Sequence, residues 1–124
     1  VHIRDIMSYP VLSVSSSTIM EKIAMILREK GCTGVPVIDE GEIVGVISRR
    51  DFRKITRESQ LKSPVKAFMK RDVVDIESSR SIMDAARLMV NRDIGRLPVV
   101  DDGLIVGIIT RSDVMSYLYD MLPG

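Results

Sequence analysis

The sequence predicts a mixed α/β (α+β) fold made of two β-α-β-β-α repeats packed about a pseudo-twofold axis. Three observations predict it. Residues 32–52 recur as 94–114 at a constant offset of 62, with ten of 21 positions identical, among them Pro36/Pro98, Asp39/Asp101, Gly45/Gly107 and Asp51/Asp113. Each copy is preceded by a helix-period apolar pattern, and each contains two short apolar runs parted by an acid–glycine turn. Two copies of a small unit can pack their apolar faces together, which also creates two related clefts where they meet.

Taken in chain order, a helical turn is expected around residues 3–7 and a short strand over 11–14. Thr18-Ile19-Met20-Glu21 then carries a cap residue followed three positions later by an acid, the start signal of a helix. Ile19, Ile23, Ile26 and Leu27 share one face of that helix, and Glu21, Lys22, Arg28 and Glu29 fall away from it. Val35-Pro36-Val37-Ile38 reads as a buried strand whose proline marks an edge or a strand start. Asp39-Glu40-Gly41 supplies a tight hairpin, so residues 43–47 should return antiparallel. A second helix is expected after Ser48.

The polar stretch 56–63 separates repeat 1 (1–58) from repeat 2 (59–124), and the order then repeats. A turn around 64–69 and a strand over 73–76 lead to a helix opened by Ser81-Ile82-Met83-Asp84, with Ile82, Ala85, Ala86 and Met89 on its apolar face. The helix starts are expected to lie 63 residues apart, one more than the strands. Met20, Met25, Met83 and Met89 read as flexible core filler. Leu97-Pro98-Val99-Val100, Asp101-Asp102-Gly103, residues 105–109 and a helix after Thr110 complete the second copy, giving a mixed sheet with helices on one face.

A chain of 124 residues buries about two-thirds of its unfolded surface, enough for one compact body and marginal for either half alone. Its apolar stretches are far shorter than a membrane span. A net charge of +1 with dispersed basic residues argues against nucleic-acid or membrane binding. The local cluster Arg49, Arg50, Arg53, Lys54 and Arg57 reads as a solvated helix face with one or two members recruited to phosphate. Cys32 is alone, which points to a reducing, cytoplasmic compartment. The chain opens at Val1 and enters its first motif at once, as a fragment or a processed chain would.

No nucleophile–base pair, metal-ligand cluster or Gly-rich phosphate loop stands in the sequence, and His2 lies at a terminus, so no catalytic residue and no metal site is expected. The chemistry-bearing feature is Gly45-Val46-Ile47-Ser48-Arg49-Arg50-Asp51 with its twin Gly107-Ile108-Ile109-Thr110-Arg111-Ser112-Asp113. A hydroxyl ends the strand and an acid sits three residues on. Such a box can offer a hydroxyl and helix N–H groups to an anion and a carboxylate to vicinal sugar hydroxyls. The same spacing also makes a plain capping box that holds no ligand.

Residues 94–101 and 106–113 resemble the hallmark runs of the CBS domain, and the doubled chain resembles a tandem CBS pair, the Bateman module. The resemblance covers residues 3–118. It implies two CBS repeats that bind an adenosine-containing ligand, AMP, ADP, ATP or S-adenosylmethionine, in clefts between them and regulate an attached enzyme or channel. It also implies a homodimer. By position, Asp51 and Asp113 would hold ribose hydroxyls, and Ser48 and Thr110 would lie near phosphate. Val46 and Ile108 would line the base, as would Val11 and Val73 at the first strands. Arg50 and Ser112 precede the acids and fall where some members touch phosphate. Arg96 matches a phosphate-contacting basic residue of the AMP-activated kinase gamma subunit, and its twin here is Gly34, so the clefts should be unequal.

No cofactor is required on this reading. The adenine nucleotide is a regulatory ligand, and Mg2+ would enter only with ATP. The segments 34–37, 48–51 and 63–69 further resemble the CBS pair inside bacterial tRNA nucleotidyltransferase or poly(A) polymerase-like chains, which would make a fused enzyme domain the partner. The alternative is a dimerisation scaffold built on the Ile and Met surfaces of the helices, its ligand motifs serving only as caps.

Overall fold

The structure, a computed structural model, describes residues 1–9 and 11–123. Packing divides the chain into two compact units that do not follow the sequence repeats 1–58 and 59–124. A continuous unit comprises Leu12–Val73, and a split unit joins Val1–Val11 to Val74–Gly124. The opening segment of each repeat thus packs in the unit that houses the rest of the other.

In the continuous unit, helix α1 (Met20–Lys30) leads to strands β1 (Gly34–Asp39) and β2 (Glu42–Ser48), and a 3-10 helix runs over Arg49–Lys54. In the split unit, α2 (Ile82–Arg92), β3 (Arg96–Asp101), β4 (Leu104–Thr110) and α3 (Arg111–Asp120) repeat the order. Each strand pair is an antiparallel hairpin, with Val37 opposite Gly45 and Val99 opposite Gly107. One residue further along, both registers slip by one residue, leaving Val44 and Val106 as the bulged positions. Glu40 and Gly41 turn the first hairpin with φ of 52° and 82°, and Asp102 and Gly103 turn the second with 52° and 79°. Two successive positive φ values match the right-handed twist of the flanking strands, so the acid–glycine pair is the natural occupant.

The strands expected over 11–14 and 73–76 are not formed. Val14 and Ile76 each make a single parallel bridge, to Val37 and Val99. Proline explains the limit. The Val14 N–H donates to Pro36 O and the Ile38 N–H to Val14 O, at 3.2 and 2.8 Å; extending the pair backwards would require an N–H from Pro36, which has none. Pro98 stops the Ile76 pairing in the same way.

Helix starts differ by 62, not 63. Met20 opens α1 after an N-cap at Ile19, so Thr18 is not the cap residue the spacing suggested. Ile19 is held extended, at ψ 151°, in an antiparallel bridge to Pro64, while the Thr18 carbonyl accepts from the Val65 N–H at 2.7 Å. Ser81, its positional twin, is bridged to His2 and also caps α2, accepting from the Asp84 N–H at 3.1 Å. The second helix after Ser48 is a six-residue 3-10 turn where α3 is a full α-helix. Ile55, packed on the core, turns extended and ends it.

Each unit has its own core. Val14, Met20, Ile23, Leu27, Val35, Val37, Ile47 and Val65 are buried in one, and their 62-offset twins Ile76, Ile82, Ala85, Met89, Leu97, Val99, Ile109 and Ile3 in the other. Of the four methionines expected inside, Met20 and Met89 are buried, while Met25 and Met83 are exposed. The twins of the exposed pair are Arg87 and Glu21, residues of a solvated face.

Candidate functional site

Both hydroxyl–acid boxes form where the sequence put them, at the junction of a strand end and a helix start. In the split unit the Asp113 Oδ2 accepts from the Thr110 N–H at 2.8 Å, and the Thr110 hydroxyl oxygen accepts from the Asp113 N–H at 3.2 Å. That is a reciprocal capping box, with the Thr110 hydroxyl proton still available to donate. Asp113 is half-buried, and among the described residues nothing donates to its Oδ1.

The first box is bonded differently. Asp51 is 1% exposed. Its Oδ2 accepts both the Ser48 N–H, at 2.9 Å, and the Ser48 hydroxyl, at 3.2 Å, and Lys54 Nζ lies 3.0 Å from its Oδ1. Burying a carboxylate is costly unless it is paired and hydrogen-bonded, and here it is both.

Strand register decides what stands beside each hydroxyl. Arg96 is directly opposite Thr110 and half-buried, so the split unit brings a guanidinium-bearing residue, a hydroxyl and an acid to one strand end. The opposite number of Ser48 is Gly34. A Cβ there would come within 2.9 Å of Ile47 O and 3.3 Å of Ser48 Cα, so the first strand end has no room for a side chain at that position. Arg50 and Ser112, each preceding its acid, are both exposed.

The expected base-lining residues take on a backbone role. Val46 exchanges two hydrogen bonds with Lys70, both 2.9 Å, and Ile108 exchanges two with Ser8, at 2.8 and 3.2 Å. These crossings run beside the strand glycines. A Cβ on Gly45 would meet Met69 Sδ at 2.5 Å and Lys70 O at 2.8 Å, and one on Gly107 would meet Met7 Sδ at 2.5 Å and Ser8 O at 3.1 Å. Glycine two residues before the buried isoleucine is therefore demanded by the crossing chain. Val11 packs in the unit that holds Thr110 and Asp113, and Val73 in the unit that holds Ser48 and Asp51, the reverse of their order in the repeats; neither lies in a regular strand.

Sequence reasoning missed a second pair of twins. Asp39 Oδ1 accepts from the Ser16 N–H at 3.0 Å; Asp101 Oδ1 accepts from the Ser78 N–H at 3.0 Å and its Oδ2 from the Ser78 hydroxyl at 2.5 Å. The Ser16 hydroxyl, then its N–H, holds the Asp39 carboxyl below the usual carboxylate range, and Ser78 does the same for Asp101. These acids do more than turn the hairpin. They tie it to the loop before each helix, and the equal Ser–Asp spacing of 23 in both copies was the available signal.

Arg49 is structural, its Nε donating to Cys32 O at 3.1 Å as Arg111 Nη2 donates to Ile94 O at 3.3 Å. A cavity of about 430 Å³ lies along α2 and the loop before it, lined by Asp75, Glu77, Arg80, Asp84, Arg87 and Asn91 among others, and none of the box residues lines it. Hydrogen bonds from Arg80 and then Arg87 hold Asp84 well below the usual carboxylate range. Among the described residues, no group of three His, Cys, Asp or Glu side chains could hold a metal ion, and no helix is long and apolar enough to cross a membrane.

Two strand–helix boxes on twin β-hairpins define a doubled α/β fold. The family model of the CBS domain matches residues 3–58 and again 65–120, and the chain belongs to that family as a tandem pair. The uncharacterized protein MJ1232 of Methanocaldococcus jannaschii is 33% identical over 124 residues, 99% of this chain and 41% of its own length. The chain therefore spans less than half of that relative. The A-adding tRNA nucleotidyltransferase of Aquifex aeolicus is 29% identical over 115 residues, which is 92% of this chain and 14% of the enzyme. Among solved structures, the CBS domain pair of MJ0100 in complex with 5′-methylthioadenosine and S-adenosyl-L-methionine is 30% identical, with a TM-score of 0.81, covering 97% of this chain and 96% of that one. CBSX2 in complex with AMP is 32% identical, with a TM-score of 0.87 and 97% of both chains covered.

Proposed function

We propose that this CBS pair is a non-catalytic regulatory module that binds an adenosine-containing ligand, and that the box of Thr110 and Asp113 with Arg96 is the site that takes it. The observation that carries the reading is the β3–β4 register, which sets Arg96 against Thr110, beside an Asp113 oxygen that no described residue engages. The arrangement suits a ribose at Asp113 and a phosphate, or another anionic group, at Thr110 and Arg96. Two relatives of about 30% identity whose structures hold adenosyl ligands support it. Val11, Ile108 and Ser112 are assigned to the same site, and Val46, Ser48, Arg50, Asp51 and Val73 to its twin. Mg2+ would enter only with ATP.

The test is thermal unfolding against AMP, ADP, ATP and S-adenosylmethionine. A ligand at 100 times its dissociation constant adds about 2.7 kcal/mol of stability and raises the melting temperature by several degrees. Asp113→Ala should abolish that rise. A panel that moves nothing refutes the reading.

A scaffold role has its own support in Met115, Leu118 and Tyr119, exposed apolar residues at helical spacing on α3. On that reading the module assembles as a homodimer attached to a larger enzyme in the cytoplasm. Sedimentation equilibrium of the wild type and of Leu118→Glu tests it: a dimer that falls to monomer supports the role, and a monomeric wild type removes it.

A further inference from the structure

Resting on that reading, the structure points to a second device: we propose that Lys54 latches the first box shut, so that the wild-type chain takes up one adenosyl ligand and not two. Lys54 Nζ lies 3.0 Å from Asp51 Oδ1 and donates to the Phe68 carbonyl at 3.0 Å, so the ammonium is held from two sides. Local geometry favours the contact, because side chains three residues apart eclipse on a 3-10 helix and Arg49–Lys54 is one. With Ser48 covering the other oxygen, the carboxylate is sealed, and vicinal sugar hydroxyls could reach it only after the lysine leaves.

The twin box lacks every part of this latch. At the 62-offset position of Lys54 stands Ser116, an exposed neutral side chain on a regular α-helix. Among the described residues, the bonds of Asp113 are those of its own cap. The phosphate side is unequal in the same sense, since Gly34 has no side chain where Arg96 has a guanidinium, and the tight contacts around Gly34 leave no space for one. A duplicated site has thereby become one receptive box and one closed box, and the chain carries the closing element within six residues of the closed one.

Lys54→Met, which keeps an apolar stem and removes the charge, is the direct test, read as stoichiometry by equilibrium dialysis with AMP and with S-adenosylmethionine. The latch predicts one equivalent for the wild type, two for Lys54→Met, none for Asp113→Ala, and one again for Asp113→Ala combined with Lys54→Met. Lys54→Gln, a polar neutral replacement, gives the same readout if the methionine variant fails to fold. Two equivalents in the wild type, or a folded Lys54 variant that stays at one, overturn the latch while leaving nucleotide binding intact. No binding by any form, with either ligand, overturns both.

Discussion

The boxes at Ser48–Asp51 and Thr110–Asp113 share spacing, strand position and hydroxyl–acid chemistry, yet in one a half-exposed lysine pairs with a buried carboxylate, and in the other the acid is a cap with one carboxylate oxygen that no described residue engages. The difference arises outside the motif. It comes from the residue three positions past each acid, from the helix type that places it, and from the cross-strand neighbour, Gly34 or Arg96. A repeated motif therefore fixes where a site is built, and its neighbours fix whether the site is open.

If the scaffolds are equivalent and only the boxes differ, core truncations should cost the same in either unit. Ile47→Ala and Ile109→Ala each remove a fully buried side chain and should lower unfolding free energy by about 3 kcal/mol. Urea denaturation that shows one site tolerant and the other not would break the comparison at its base.

The acids come next. Asp51→Ala strips a sealed carboxylate of three partners and leaves Lys54 and Ser48 to find others, at about 2 kcal/mol; Asp113→Ala loses a cap, at about 1 kcal/mol. Equal costs in chemical denaturation would contradict the claim that only the first acid is locked. Smaller again is the contrast at the earlier helices. Ser81→Ala should cost about 1 kcal/mol, whereas Thr18→Ala should cost only a few tenths, because Thr18 does not cap α1.

Acid should affect both units alike. Folding lowers the pKa values of Asp39 and Asp101, so the folded chain binds fewer protons than the unfolded one. Their contribution is complete above the unfolded value of about 3.9 and is lost as pH falls through the lowered folded values. Ser78→Ala should make the fall in melting temperature below about pH 4 shallower, and carboxyl NMR should show Asp101 titrating higher than in the wild type. An unchanged Asp101 titration would refute the role given to Ser78.

Much of this was legible in the sequence. The 62-residue offset located both hairpins, their turns, both boxes and the paired core positions, because each of these depends on local pattern and glycine placement. What escaped depended on pairing between distant segments. Nothing local announced that Ile19 would be drawn extended by Pro64, or that residues 11–14 would make one bridge and stop, although the donor missing from Pro36 was in plain view. The closing of Asp51 was hidden for a similar reason. Lys54 read as one charge in a basic run, and the pattern of the run did not single it out as the one that folds back over the acid.

The most direct test of the central claim is an amide NMR titration with whichever of AMP or S-adenosylmethionine binds, following both boxes in one spectrum. Ligand uptake at the second box alone shifts Arg96, Thr110 and Asp113 and leaves Ser48 and Asp51 unmoved. Shifts centred on Ser48 and Asp51, or spread away from both boxes, would contradict it.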